Sequence, residues 1–187
     1  MRRILIVGCS GSGKSTLARA LGERLGLPVI HLDREYWQAG WQPMPAEQFD
    51  RRIEEVVAGS NWIIDGNFAR SLPPRVARAD TIIHLDFAMW RCLWRIARRG
   101  FLAHNFDCPR PDMTPGCPEH LDWEFVEWII RFRRVERPKT LRALDARGPG
   151  VSVITLRTPR EVRAFLIAQN APPNDKRRAI DTLLDPR

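Results

Sequence analysis

With 187 residues the chain fits one domain and is long enough to bury a substantial core, so no second domain is expected. Hydrophobic residues make up 44% and charged residues 28%, which excludes a disordered or fibrous polymer and fits a soluble globular protein. Basic residues outnumber acidic ones 30 to 22, for a net charge of +8, and all but Lys14, Lys139 and Lys176 of the basic set are arginine, whose planar fork suits phosphate.

Taken in chain order, Met1-Arg2-Arg3 and the apolar run Ile4 to Val7 have the charge of an export signal, but the run is too short for one and reads as a first strand. A helix follows over Ser15 to Leu25, then a strand over Pro28 to Leu32, a helix over Ala46 to Ala58 and a strand over Trp62 to Asp65. The second half continues with a strand from Thr81 to Leu85, helices from Met89 to Leu102 and Leu121 to Leu144, a strand from Val151 to Leu156 and a helix from Pro159 to Ala168. Short strands without polar alternation, each followed by a helix, predict an α/β fold in which helices cover both faces of a five-stranded parallel sheet.

One domain is expected over residues 1–170, with Pro172 and Pro173 opening a tail over 171–187. The segment 103–120 carries Pro109, Pro111, Pro115, Pro118 and Gly116 between two long helices, the composition expected of an irregular, mobile lid. No stretch approaches the ~18 apolar residues of a membrane span, so no membrane partner and a cytoplasmic location are expected. Cys9, Cys92, Cys108 and Cys117 are then expected as reduced thiols. The helix after the loop that holds Cys9 could depress the pKa of that thiol.

The residues Gly8 to Thr16 contain the string G-x-x-x-x-G-K-S between a predicted strand and a predicted helix, which is a Walker A phosphate loop in its required context. Its glycines let successive backbone N–H groups turn inward around a phosphate, and the helix N-terminus adds positive potential. Gly8, Ser10, Gly11, Ser12, Gly13, Lys14, Ser15 and Thr16 are the candidate ATP-binding residues, with Lys14 on the β/γ-phosphates and the Ser15 hydroxyl on Mg²⁺.

Phosphoryl transfer also needs acids for the metal and acceptor, and cations around the transferred group. Three predicted strands end in an acid, at Asp33, Asp65 and Asp86, and ligands of open α/β sheets bind beyond that edge. Asp65 closes an apolar strand as a Walker B acid does and is the second candidate metal residue. Asp33 is placed to meet an acceptor hydroxyl, and Asp86 reads as a helix N-cap. Arg70, five residues past Asp65, is a candidate for the acceptor's phosphate. Arg91, Arg95, Arg98 and Arg99 before the lid fall on one side of a helix, and Arg131, Arg133, Arg134 and Arg137 follow it. Of these, Arg95, Arg99, Arg131 and Arg134 are the candidate catalytic cations, the alternative being a solvated face with local pairs such as Glu127 with Arg131.

Leu121, Phe125, Trp128, Ile129 and Phe132 recur at helical spacing and are expected in the core. Tyr36, Trp37 and Trp41 follow Asp33 and form either an aromatic wall beside the acceptor or a cover for the core. His104, Cys108, Cys117 and His120 offer the ligand types of tetrahedral zinc at a spacing that matches no standard finger. A basic chain also suits DNA, although no helix-turn-helix or aromatic RNA-binding signature accompanies the charge.

The phosphate loop, the string Trp62-Ile-Ile-Asp65-Gly-Asn-Phe-Ala-Arg70 and the string Ala79-Asp80-Thr-Ile-Ile-His-Leu-Asp86 resemble the adenylate-kinase-like nucleoside and shikimate kinase superfamily. His31-Leu-Asp33, Arg110-Pro-Asp-Met113, Gly116-Cys-Pro-Glu119 and Leu121-Asp-Trp-Glu-Phe125 look like the group labelled DNA topology modulation or flagellar-regulator-related proteins. The resemblance implies a P-loop NTPase with strand order 2-3-1-4-5 and a lid. It implies ATP- and Mg²⁺-dependent transfer of a phosphoryl group to a small nucleotide-like or hydroxyl acceptor, or else a nucleotide switch acting on DNA or a protein partner. Adenylate kinases carry D-G-F-P-R where this chain has Asp65-Gly-Asn-Phe-Ala-Arg70, one residue longer and without the proline.

Overall fold

The computed structural model describes residues 1–106, 112–117 and 122–169, with residues 103–106 described in backbone only. The elements in order are β1 (Arg3–Gly8), α1 (Lys14–Leu25), β2 (Val29–His31), α2 (Leu32–Tyr36), β3 (Trp37–Gln38), β4 (Gln42–Pro43), α3 (Ala46–Ala58), β5 (Trp62–Asp65), a 3-10 turn (Ala69–Ser71), α4 (Leu72–Arg78), β6 (Thr81–Leu85), α5 (Met89–Phe106), α6 (Trp123–Asp145), β7 (Ser152–Leu156) and α7 (Pro159–Gln169). The main sheet is parallel and runs β2-β5-β1-β6-β7. Because the antiparallel hairpin β3-β4 stands outside it, its five strands counted alone run 2-3-1-4-5.

Strand pleat sorts side chains between two apolar layers. Ile4 and Ile6 of β1, Ile63 of β5, and Ile83 and Leu85 of β6 pack with Leu17 and Leu21 of α1, Ile96 of α5, Ile129 and Phe132 of α6 and Phe165 of α7. Their neighbours Leu5, Val7, Ile64 and Ile82 face the other way, onto Phe49, Ile53 and Val57 of α3 and Leu72 and Val76 of α4. Helices therefore cover both faces, which is why the strands carry no polar alternation. The carboxylate of Asp80 accepts the N–H groups of Arg2 and Arg3 at 2.9 and 3.0 Å and the Thr81 hydroxyl at 2.8 Å, tying the start of β1 to that of β6.

Three local expectations are corrected. The hairpin β3-β4 and the helices α2 and α4 are additional elements; Pro73 and Pro74 fit the first turn of α4, which needs no N–H from proline. Helix α5 continues to Phe106, so residues 103–106 form its last turns and are not part of an irregular lid. Of the remaining lid residues, 112–117 are ordered against the hairpin. The Thr114 hydroxyl lies 3.1 and 2.6 Å from the carbonyls of Arg34 and Trp37, Gly40 N–H donates to Gly116 at 2.9 Å, and Cys117 Sγ donates to Gln38 at 3.1 Å. The other lid positions, 107–111 and 118–120, lie outside the described residues, as do Leu121 and the tail over 171–187. Among the described residues no helix is long and apolar enough to cross a membrane.

Candidate active site

The loop between β1 and α1 is built on glycine conformations that side chains rarely adopt: Gly11 has φ 75° and Gly13 φ 95°. The space is equally restrictive, since a Cβ on Gly8 would sit 2.5 Å from the Leu85 carbonyl and one on Gly11 2.5 Å from the Cys92 carbonyl. Close packing of β6 and α5 therefore shapes the loop from outside. Lys14 Nζ donates to the carbonyls of Gly8 and Cys9 at 2.9 and 3.0 Å, closing the loop on itself. Ser12 is buried and, among the described residues, its hydroxyl has no hydrogen-bond partner, an orphan polar group of the kind an anion's oxygen would satisfy. Ser10, Gly11 and Gly13 are half-buried and Thr16 is exposed.

Asp65, at the end of β5, is 3% exposed and receives two hydrogen bonds. Ser15 Oγ donates to its Oδ2 at 2.7 Å, and His31 Nδ1, at the end of the neighbouring β2, meets its Oδ1 at 2.5 Å. The Walker A serine and the strand-end acid are thus joined directly, in the arrangement of hydroxyl and carboxylate that suits a small hard cation. His31 is a partner that the sequence reading quoted in a string without a role. Asp33 falls in α2, half-buried, one turn past the same sheet edge.

The segment after Asp65 is fixed by a residue the sequence gave no reason to single out. Arg75 of α4 is fully buried and donates to the carbonyls of Gly66 at 2.8 Å, Asn67, Phe68 at 2.9 Å and Ser71 at 2.9 Å. Burial pushes its pKa down to about 9, still above neutrality, so a charged guanidinium is held by carbonyl dipoles alone. The clamp holds Phe68 at φ 33° and presents Asn67 to the phosphate loop. There the Asn67 amide donates to Gly8 O at 2.8 Å and accepts Gly8 N–H at 3.1 Å. An arginine seven residues beyond the Gly66-Asn67-Phe68 turn, in a helix with prolines in its first turn, was the available signal.

The candidate cations are dispersed. Arg95 reaches the loop, its Nη1 donating to the Ser12 carbonyl at 3.0 Å while its guanidinium lies 5.3 Å from the Phe87 ring. Arg91 and Arg98 instead lie over the rings of Trp90 and Trp94. Arg99 is half-buried on α5. Arg70 is held by Asp50 through contacts of 2.6 to 3.2 Å and is exposed. Arg131 pairs with Glu127 at 3.4 Å, and both it and Arg134 are exposed, with no contact to the loop among the described residues.

Asp86 is not an N-cap, because α5 begins at Met89. It takes a two-pronged bond from Arg137 of α6 at 2.8 and 2.7 Å, and that guanidinium holds its carboxyl below the usual carboxylate range. Cys9, at a variable position of the loop, has no reactive thiolate: its hydrogen bond with Cys92 and its burial push the thiol up. Tyr36 packs edge-on against Trp37 and Phe49 and beside Phe68, which makes this cluster a cover for the core. In the proposed zinc set, Cys108 and His120 lie outside the described residues and His104 is described in backbone only. Among the described residues no three metal-ligating side chains cluster.

Residues 4–105 match the family described as AAA domain. A dephospho-CoA kinase of Deinococcus radiodurans is 39% identical over 85 residues, a stretch covering 44% of this chain and 41% of that protein, so the likeness spans less than half of the relative's length. A putative adenylate kinase of Pyrococcus furiosus is 25% identical over 167 residues, covering 85% of this chain and 78% of the relative. Among solved structures, the shikimate kinase of Acinetobacter baumannii in complex with shikimate superposes with a TM-score of 0.54 at 14% identity, covering 98% of this chain and 91% of the other. The shikimate kinase of Bacteroides thetaiotaomicron gives 0.52 at 16% identity, over 97% and 95%. At such identity the structural likeness concerns the fold.

Proposed function

The chain belongs to the AAA-domain family, and from that premise we propose that it is an ATP- and Mg²⁺-dependent phosphotransferase acting on a small nucleotide-like or hydroxyl-bearing acceptor. The observation that carries the proposal is the direct Ser15–Asp65 contact beneath a glycine-built loop with an orphaned Ser12 hydroxyl. The match to two curated kinases supports a phosphotransferase of this general kind. The narrower resemblance to the DNA topology modulation group rests on sequence strings and adds no reaction.

In this reading the amides from Gly8 to Thr16 and the Ser12 hydroxyl receive the phosphates, and Lys14 exchanges two carbonyl partners for phosphate oxygens, a stronger charge-assisted pairing. Ser15 and Asp65 are the residues that would hold Mg²⁺, directly or through water. When bound, the ion screens the charge of the phosphates and stabilises the charge that develops during transfer. Arg95 stands on the loop's outer side as the cation nearest the transferred group, with Arg99 one turn beyond it. Asp33, at the sheet edge beside the loop, orients the acceptor hydroxyl. Arg70 would take the acceptor's phosphate after leaving Asp50, and Arg131 and Arg134 approach only if the lid closes.

A panel of nucleotides, nucleosides and hydroxyl metabolites, screened for thermal stabilisation with a non-hydrolysable ATP analogue and then for turnover with MgATP, tests the proposal. One or more acceptors should be phosphorylated, and Lys14→Ala should abolish both analogue binding and turnover. Tight analogue binding with no transfer to any member, and no hydrolysis, would set the kinase reading aside in favour of a nucleotide switch.

A further inference from the structure

We propose that the outer face of α5 is a docking surface for an anionic lipid bilayer, lying in the plane of the interface and independent of the phosphoryl-transfer site. Trp90 and Trp94 stand one turn apart and are 63% and 60% exposed, and Phe101, 66% exposed, falls on the same stripe. The opposite face of α5, with Cys92 and Ile96, is fully packed into the core, so the helix is anchored and the stripe is held outward. Each tryptophan carries a cation: Arg91 lies 4.8 Å over the Trp90 ring and Arg98 5.9 Å over the Trp94 ring. From Met89 to Phe106 there is no acidic residue at all.

Charge and shape select the partner. A second copy would set this acid-free, arginine-bearing face against itself, on a molecule already carrying +8. A dry protein groove would have to strip the water from a guanidinium on each ring it admitted. The headgroup layer of an anionic bilayer provides apolar and anionic contacts in one plane: indole rings settle at the glycerol level while guanidinium groups meet lipid phosphates. The sequence-based expectation of no membrane partner considered only spanning length, which a peripheral contact does not need.

The test is co-sedimentation of the full chain with vesicles of phosphatidylcholine alone and of phosphatidylcholine with phosphatidylglycerol at 7:3, at low and physiological salt. Binding should favour the anionic vesicles at least roughly tenfold. The Trp90→Ala/Trp94→Ala double variant should lose at least about tenfold of it, and Arg91→Gln/Arg98→Gln roughly fivefold per arginine. Circular dichroism and ATP-analogue affinity should be unchanged in both variants, which separates this surface from the nucleotide site. Equal binding to both vesicle types, or anionic binding that survives both variants, overturns the proposal. So does a tryptophan-dependent dimer in analytical ultracentrifugation, or a single-stranded oligonucleotide whose binding the same variants abolish.

Discussion

At the scale of single residues, Asp65 is the junction of the site, because one buried carboxylate takes the Ser15 hydroxyl on one oxygen and His31 on the other. His31 acts as a positioning residue: it fixes the carboxylate that the proposed Mg²⁺ site depends on. Asparagine places an N–H donor where Nδ1 stands, whereas phenylalanine keeps the bulk and removes the donor. His31→Phe should therefore weaken the Mg²⁺-dependent gain in ATP-analogue affinity about tenfold or more, as loss of an outer-shell partner does, and His31→Asn should restore most of it. Titration calorimetry with and without Mg²⁺ measures both. Arg75 shows a different dependence, since among the described residues four carbonyls hold it and no acid pairs with it. Lysine keeps the charge but cannot span that fan, so Arg75→Lys should cost about 3 kcal/mol of stability in urea denaturation. It should also loosen the loop that carries Asn67.

At the scale of elements, packing reverses what local propensity would say. Gly22 lies inside α1, where alanine ordinarily gains up to ~1 kcal/mol. Here an added Cβ would stand 2.4 Å from Val29 Cγ2 of β2 and 3.2 Å from the Leu27 carbonyl. The branched valine is stiff and the carbonyl is backbone, so neither yields cheaply. Gly22→Ala should destabilise the protein by about 1–3 kcal/mol, the usual cost of overpacking, read as a lower urea midpoint. Besides its apolar packing, the end of β6 is joined to α6 by an ion pair, Asp86 with Arg137. Because Arg137 lowers the folded-state pKa of Asp86, the pair's stabilisation is complete above the ordinary carboxylate value and is lost as pH falls through the lowered one. Arg137→Met should cost about 1–3 kcal/mol at neutral pH, and the gap from the parent should narrow in acid. Thermal denaturation at several pH values between 2 and 7 follows that trend.

At the scale of the whole molecule, the loop, β5 and α5 form one unit, so ligand binding at the loop should register as global stability. A ligand bound to the folded state alone adds about 2.7 kcal/mol at a hundredfold excess over its dissociation constant. The melting temperature should rise accordingly with a Mg²⁺–ATP analogue, and the rise should vanish in Lys14→Ala. A Lys14→Ala protein with the parental shift would remove this loop from the nucleotide site.

The sequence by itself determined the sheet and the loop. β-branched runs such as Ile4 to Val7 and Trp62 to Asp65 announce buried parallel strands, and the string G-x-x-x-x-G-K-S between a strand and a helix announces the phosphate loop. Pairings between distant segments were legible only in tertiary structure. Nothing local links His31 to Asp65 or Arg137 to Asp86, because those contacts exist only after crossovers bring separate segments to one edge of the sheet. The arginines make the same point. Charge and spacing placed them around a phosphate site, but packing decided which of them reached it: Arg95 turned to the loop, Arg70 to Asp50, and Arg91 and Arg98 to the exposed Trp90 and Trp94.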